Sequence, residues 1–387
     1  MASELWQRLE ARAVEIHVAA HLRHRLEAGE HLRVKLGLDP TAPDLHLGHL
    51  VVLDQLREFQ DAGHTVVAIV GDFTALIGDP SGRSDTRPVL TPEQVKANSQ
   101  TYFEQIFKIL DRSRTEIHGN SEWLSPLGSD GILRLLGGQT LQAVLQREDF
   151  AERMRQGSPI GAHEILYPFT QGYDSVAVRA DLEIGGSDQL FNLLFGREIQ
   201  RAYGQPAQDV AVFPLLEGTD GERKMSKSLG NWIGLLEPPD QIYGKTMSIP
   251  DNLIPKYLTL ISGLAGTELA RALSLPPREA KAHLARTLVA RLWDEAAAAE
   301  AERRFDDRFR RRQIAAEDLA EHRPQNPSDL VGTLVELGWY PTRSMARRVI
   351  EQGGTSLDGS PIGLTTELRD GAVLRAGRRN YVRIRVG

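Results

Sequence analysis

Apolar positions along the first part of the chain change period several times, and each change predicts an element. Residues 5 to 29 carry Leu, Val and Ala at helical spacing among charges, and Gly29 closes that run before the short strand-like segment Leu32-Arg33-Val34-Lys35-Leu36. After the Gly/Asp/Pro-rich stretch from Gly37 to Pro43, the helical period returns in Leu47, Leu50, Val51, Leu53, Leu56 and Phe59 and stops at Asp61-Ala62-Gly63. Thr65-Val66-Val67-Ala68-Ile69-Val70 is then the largely β-branched run of a strand buried on both faces. Strand, loop, helix, strand is one βαβ unit.

A second loop, Gly71 to Arg83, precedes a helix announced by Thr91 as N-cap, Pro92 in the first turn and Gln94 three positions after the cap. Tyr102, Phe103, Ile106, Phe107 and Leu110 form its apolar stripe. Residues 120 to 165 read as helical pieces broken by Gly and Pro, an insertion. Val176, Val178, Ala180, Leu182 and Ile184 alternate as a strand, and Gly185-Gly186-Ser187 opens a helix through Leu194 and Ile199. Residues 1–235 therefore predict a doubly wound, Rossmann-like parallel-sheet α/β domain. From Pro238 strand signals stop, and Leu253 to Arg312 is helical, so 236–322 predicts an all-helical domain ending near the patch Arg303, Arg304, Arg308, Arg310, Arg311 and Arg312. Arg323-Pro324-Gln325-Asn326-Pro327 has linker composition, and 328–387 reads as a small α+β domain.

Composition narrows the chemistry. The 387 residues carry a net charge of −6, which does not advertise a nucleic-acid partner, but the charge is uneven. Trp339 to Gly387 holds nine Arg against four acids, a local +5, leaving −11 for the rest. The absence of cysteine removes disulfides, thiolate zinc sites, iron–sulfur clusters and a cysteine nucleophile, and no zinc is expected. A charged opening without an apolar core, and no long uncharged apolar stretch, predict a cytoplasmic protein with no membrane association.

Two segments stand out as chemistry. His46-Leu47-Gly48-His49 falls where the first loop turns into a helix, the place where helix N–H groups face anions. Alone, His-x-x-His could be zinc ligands, surface residues or chance, and His21-Leu22-Arg23-His24 has the same spacing with nothing else to support it. The second segment is Lys224-Met225-Ser226-Lys227-Ser228, between Gly221 and Gly230. Two lysines on a glycine-bounded loop could close on a triphosphate, or could be a solvated basic loop. Walker and dinucleotide fingerprints are both absent. Tyr167, Gln171 and Asp174 lie within two helical turns and could face one pocket.

Together and in this order, the two segments resemble the HIGH and KMSKS signatures of class I aminoacyl-tRNA synthetases. Tyr167-x-x-x-Gln171-x-x-Asp174 resembles the substrate segment of the tyrosyl-tRNA synthetases, as do Gly37-Leu38-Asp39-Pro40-Thr41, Asp79 within Ile77-Gly78-Asp79-Pro80-Ser81-Gly82, and Gly185-Gly186-Ser187-Asp188-Gln189. The resemblance implies tyrosine–tRNA ligase activity with ATP as substrate and Mg2+ accompanying the nucleotide. It implies catalytic roles for His46, His49, Lys224, Ser226, Lys227 and Ser228. Tyrosine would be held by Gly37, Asp79, Tyr167, Gln171, Asp174 and Gln189, with Asp174 on the phenol hydroxyl. ATP would be held by Asp39, Thr41, His46, Gly48, His49, Gly186, Asp188, Met225 and Lys227, with Asp188 on the ribose.

The basic end adds a second signal. Pro341 to Gly354 reads as a helix bearing Arg343, Arg347 and Arg348, followed by strand–turn elements around Asp358-Gly359 and Tyr381 to Val386, a unit suited either to RNA phosphates or to simple solvation. It resembles the small RNA-binding domain of bacterial tyrosyl-tRNA synthetases, and the family implies tRNA(Tyr) as partner, a homodimer and anticodon recognition by the helical region. Departures from many bacterial members are Lys35 in place of a tyrosine that touches the hydroxyl, Glu183 in place of glutamine, Leu190-Phe191 in place of Trp-Gly, and Leu357-Asp358-Gly359 in place of Val-Asn-Gly; these resemble a second bacterial subtype. Two other readings are a tryptophan–tRNA ligase and a synthetase-like RNA-binding protein that does not charge tRNA.

Overall fold

The computed structural model describes residues 2–81, 90–309, 319–377 and 380–386. Gly82 and Arg83 of the second loop, Arg310, Arg311 and Arg312 of the basic patch, and Arg378 and Arg379 lie outside the described residues, as does the side chain of Arg308. The chain divides into two compact units, Met1–Ala298 and Ala299–Gly387.

The first unit is built on a six-stranded sheet: β1 (Glu15–His17), β2 (Arg33–Leu38), β3 (Thr65–Val70), β4 (Thr115–Gly119), β5 (Leu182–Gly186) and β6 (Asp209–Phe213). Its order is β1-β6-β5-β2-β3-β4, parallel throughout except for the antiparallel edge strand β1. From β2 the chain runs outward one way through β3 and β4, then returns to the other side of β2 with β5 and β6. The reversal between β2 and β5 opens a crevice at the carboxyl ends of the strands, where doubly wound sheets bind ligands.

Local chemistry explains most of these elements. β3 is β-branched and buried except at its first residue. Thr91 caps the helix Pro92–Ile106 reciprocally: its hydroxyl accepts from the Gln94 N–H (3.3 Å), and the Gln94 side chain accepts from the Thr91 N–H (2.9 Å). The insertion is helical in pieces, including Gly128–Leu136 and Glu148–Gln156. Helices Pro239–Ser248, Ile254–Ile261, Gly266–Leu273, Pro277–Leu292 and Glu295–Phe309 follow the sheet.

Two expectations are corrected. The run Val176 to Ile184 is not one strand: Val176 and Val178 end the helix Tyr167–Val178, Arg179 turns the chain with φ 52°, and only Leu182–Gly186 is extended. That helix is buried nearly all round, so it has no polar face to betray a 3.6-residue period. Residues 5 to 29 are not one helix either. Helices Ala2–Arg12 and Ala19–Glu27 flank β1, whose pairing with β6 overrides local helical spacing. Strands β4 and β6 carried no periodic signal that singled them out.

The second unit packs helices Leu330–Glu336 and Arg343–Glu351 on a five-stranded sheet through Leu330, Leu334, Ala346, Ile350, Leu374 and Ile384. Its strands are β7 (Glu321–His322), β8 (Thr355–Leu357), β9 (Ser360–Pro361), β10 (Val373–Ala376) and β11 (Asn380–Ile384), in the order β7-β11-β10-β8-β9. Asp358 and Gly359, both at positive φ, form the two-residue turn between β8 and β9. Among the described residues no helix is long and apolar enough to cross a membrane.

Candidate active site

A cleft of about 560 Å3 opens in the first unit and is lined from both sides of the strand-order reversal, by Gly37, Leu38 and Asp39 after β2 and by Glu183 to Gly186 on β5. The segments singled out in the sequence converge on it from across 190 positions.

At one end His46 is the N-cap of the helix Leu47–Asp61, and its backbone N–H donates to His49 Nδ1 (3.1 Å). The two rings lie 4.1 Å apart. Gly48 permits this: a Cβ there would stand 2.9 Å from His46 Nδ1, so any side chain would push the ring off the helix start. The lysine loop reaches the same place because the segment around Ile233 pairs with the chain leading into the helix. The Leu47 N–H donates to the Ile233 carbonyl (2.8 Å) and the Leu235 N–H to the Leu45 carbonyl (3.0 Å). Met225 is buried and anchors the loop, its N–H donating to the Leu216 carbonyl (2.7 Å), while Ser226 and Ser228 face each other at 2.9 Å. Lys224 donates to Asp188 Oδ2 (3.0 Å), and Lys227 lies 5.8 Å from the centre of the Trp232 ring.

This end is rich in positive charge, and its titrating groups respond accordingly. Burial lowers His49 to about 4, and nearby Lys227 adds to the shift. Burial together with His49, Lys227 and Lys224 holds His46 well below the usual histidine range. Both imidazoles are therefore neutral at physiological pH and present hydrogen-bond donors without charge. Burial also lowers Lys227, to about 8, with Asp44 opposing it.

The other end is closed, with Tyr167, Gln171 and Asp174 all buried. The helix Tyr167–Val178 packs against Leu190–Ala202, and Gly172 makes the approach possible, since a Cβ there would meet Ile199 at 2.8 Å and the Gly196 Cα at 3.3 Å. Tyr167 donates to Asp39 Oδ2 (2.9 Å), which also accepts from Thr74 Oγ1 on its other oxygen (2.7 Å). Asp174 accepts from Trp123 Nε1 (2.8 Å) and Asn120 Nδ2 (3.2 Å). Gln189 donates to Asp79 (2.8 Å). Gln171 Oε1 is buried without a hydrogen-bond partner and borders the cleft, an acceptor well suited to an incoming ammonium.

Thr41, Gly37, Gly186 and Asp188 also line the cleft, so every candidate for tyrosine or ATP lies on it. Arg343, Arg347 and Arg348 are not among the residues that line the cleft; they are exposed side chains on the helix Arg343–Glu351 of the second unit, where Arg343 forks onto Asp329 (2.8 and 3.0 Å), the cap of the helix Leu330–Glu336. Sequence reasoning missed Asn120, Trp123 and Arg147. Asn120 directly follows β4, so recognising that strand would have placed it at the sheet's carboxyl edge. Arg147 is a buried cation from the insertion that binds Asn192 (2.8 Å) and Ser81 and stands 3.6 Å from Asp79; nothing in the local sequence marks it.

Comparison with known proteins agrees with this geometry. The family described as tRNA synthetases class I (W and Y) matches residues 27–310. A tyrosine–tRNA ligase of Moorella thermoacetica is 47% identical over 380 residues, covering 96% of this chain and 92% of its own. One from Thermotoga maritima is 46% identical over 388 residues, covering 98% and 96%. Among solved structures, tyrosyl-tRNA synthetase from Archaeoglobus fulgidus complexed with L-tyrosine shares the fold at TM-score 0.64 and 23% identity, over 78% of this chain and 99% of that one. This chain belongs to the tyrosine–tRNA ligase family of class I tRNA synthetases.

Proposed function

We propose that the chain activates L-tyrosine with ATP and transfers it to tRNA(Tyr), and that the cleft residues named above are its machinery. The observation that carries this reading is the polarity of one continuous cleft. A closed end offers the unpartnered Gln171 Oε1 and the Asp174 carboxyl, and an open end gathers two neutral imidazoles and two lysines. An amino acid fits the first and a triphosphate the second.

In the first step a carboxylate oxygen of tyrosine attacks the α-phosphorus of ATP in line. The bond to the β-phosphate oxygen breaks, giving tyrosyl-adenylate and pyrophosphate. In the second, a ribose hydroxyl at the tRNA 3′ end attacks the carbonyl and releases AMP. No side chain forms a covalent bond, so catalysis is positioning and charge stabilisation. His46 and His49 donate to phosphate oxygens. Lys224, Lys227, Ser226 and Ser228 close on the departing pyrophosphate, and Lys224 leaves Asp188 free to take the ribose. Asp39 is already engaged by Tyr167 and Thr74, and Asp188 would be taken by the ribose, so Mg2+ would ride on the phosphates and water.

Arg347 and Arg348 would meet RNA phosphates, and the family resemblance implies a cytoplasmic homodimer. The test is ATP–pyrophosphate exchange without tRNA, run with tyrosine, tryptophan and phenylalanine. Exchange with tyrosine alone is the expected result. Exchange with tryptophan alone would keep the phosphate end and overturn the assignment of the closed end. No exchange with any of the three, from folded protein, would favour an RNA-binding protein that does not charge tRNA.

A further inference from the structure

The closed end rests on a buried ion pair that the chemistry above does not use. Lys35 on β2 and Glu183 on β5 are register partners in adjacent parallel strands, 0% and 1% exposed. Lys35 Nζ donates to Glu183 Oε1 (2.8 Å), to Ser175 Oγ (2.8 Å) and to the Gln171 carbonyl (3.4 Å). Glu183 Oε2 accepts from Ser175 Oγ (3.2 Å) and from the Gln208 amide. The strand neighbours Val34, Leu36, Leu182 and Ile184 are all buried and apolar. Desolvating two charges in such a setting is costly, and an apolar pair of the same volume is often as stable or more so. Stability alone gives little reason for the pair.

Its surroundings supply one. The hydroxyl bound by both partners belongs to Ser175, the residue after Asp174, and the carbonyl bound by Lys35 belongs to Gln171, one helical turn before Asp174. Around the buried Asp174 carboxyl stand the neutral donors Trp123 and Asn120 from the segment after β4, Lys35 from β2 and Glu183 from β5. Lys35 and Glu183 are thus the charged groups that face it. Burial raises the carboxyl to about 7, Lys35 opposes that rise, and Glu183 adds to it to a lesser degree.

We propose that the Lys35–Glu183 pair is a specificity-determining device that sets whether Asp174 stands as a carboxylate, and so how strongly the cleft prefers a ring bearing a hydroxyl over the same ring without one. Phenylalanine bound over an ionised Asp174 leaves a buried charge short of a donor, whereas a neutral carboxyl loses less. Preference then follows the ionised fraction. Lys35 and Glu183 act through Asp174 as positioning residues, and the inference rests on the tyrosine reading of the closed end.

The experiment measures kcat/KM in ATP–pyrophosphate exchange for tyrosine and for phenylalanine on the full chain from pH 6 to 9. Their ratio cancels titrations at the phosphate end that both substrates share. In the wild-type chain the ratio rises with pH through about 7. Lys35→Met moves that midpoint up by about 1 pH unit, lowering the ratio about fivefold at pH 7. Glu183→Gln leaves Lys35 unbalanced and moves the midpoint down. Each single variant breaks the same pair, so shifts of opposite sign are something a merely structural role would not produce. Should Lys35→Met fail to fold, Lys35→Met/Glu183→Gln leaves neither charge unpaired and is expected to raise the midpoint by less. Unmoved midpoints, or shifts of the same sign, overturn the proposal while leaving the function intact. No tyrosine-dependent exchange by the wild-type chain overturns the function, and this inference with it.

Discussion

The two ends of the cleft are built on opposite plans. At the closed end Tyr167, Gln171 and Asp174 are buried on a helix wedged against its neighbour at Gly172, and Asp174 is held by donors from a different segment. At the open end Lys224 is exposed, tethered by one ion pair to Asp188, on a loop that turns at Gly221 and Gly230, both at positive φ. A ground-state ligand is best met by a fixed complement. Charge that develops only as pyrophosphate leaves is better met by groups free to close at that moment.

The sharpest way to break this contrast is Lys227→Ala. If the loop acts on the transition state, the activation rate falls about 10²–10³-fold with little change in tyrosine affinity, measured as kcat and tyrosine KM in pyrophosphate exchange. A matching loss in affinity would show that the open end also binds the ground state. Asp174→Ala should do the reverse: the preference for tyrosine over phenylalanine drops ~30-fold, about 2 kcal/mol for a hydrogen bond to a charged group, while the rate with saturating tyrosine changes far less.

Acidity offers a gentler probe. Lys227 is a cation whose half-buried ammonium is lowered to about 8, so its charge is present below that pH and lost above it. The kcat/KM for ATP should therefore fall about tenfold per pH unit above about 8, and Lys227→Arg should abolish the fall. The smallest effect is expected in the second unit. Arg347→Ala/Arg348→Ala should weaken tRNA charging roughly fivefold and flatten its salt dependence, with exchange unaffected. Loss of exchange in that variant would tie the second unit to the chemistry.

The open end was far more legible in the sequence than the closed one. His46-x-Gly48-His49 and Lys224-Met225-Ser226-Lys227-Ser228 are contiguous because their chemistry is made by one helix start and one loop, and Gly48 is required by the ring directly beside it. Of the closed end, only the three residues on one helix could be read together. That helix lost its tail to a misplaced strand, because burial on every side removes the polar positions that mark a period. Asn120, Trp123 and Arg147 gave no signal because each reaches the site from an element whose position depends on sheet order.

Local sequence thus determined the βαβ start, the capped helices, the glycine-bounded loop, the basic second unit and the types of side chain available for catalysis, since all of these follow from propensity, periodicity and charge over short spans. Tertiary structure alone decided that β1 is a strand, that the insertion sends Arg147 toward Asp79, and that Lys35 lies against Glu183. Those facts depend on residues brought together from 68 to 197 positions apart, where burial and pairing across the sheet outweigh any preference a segment has on its own.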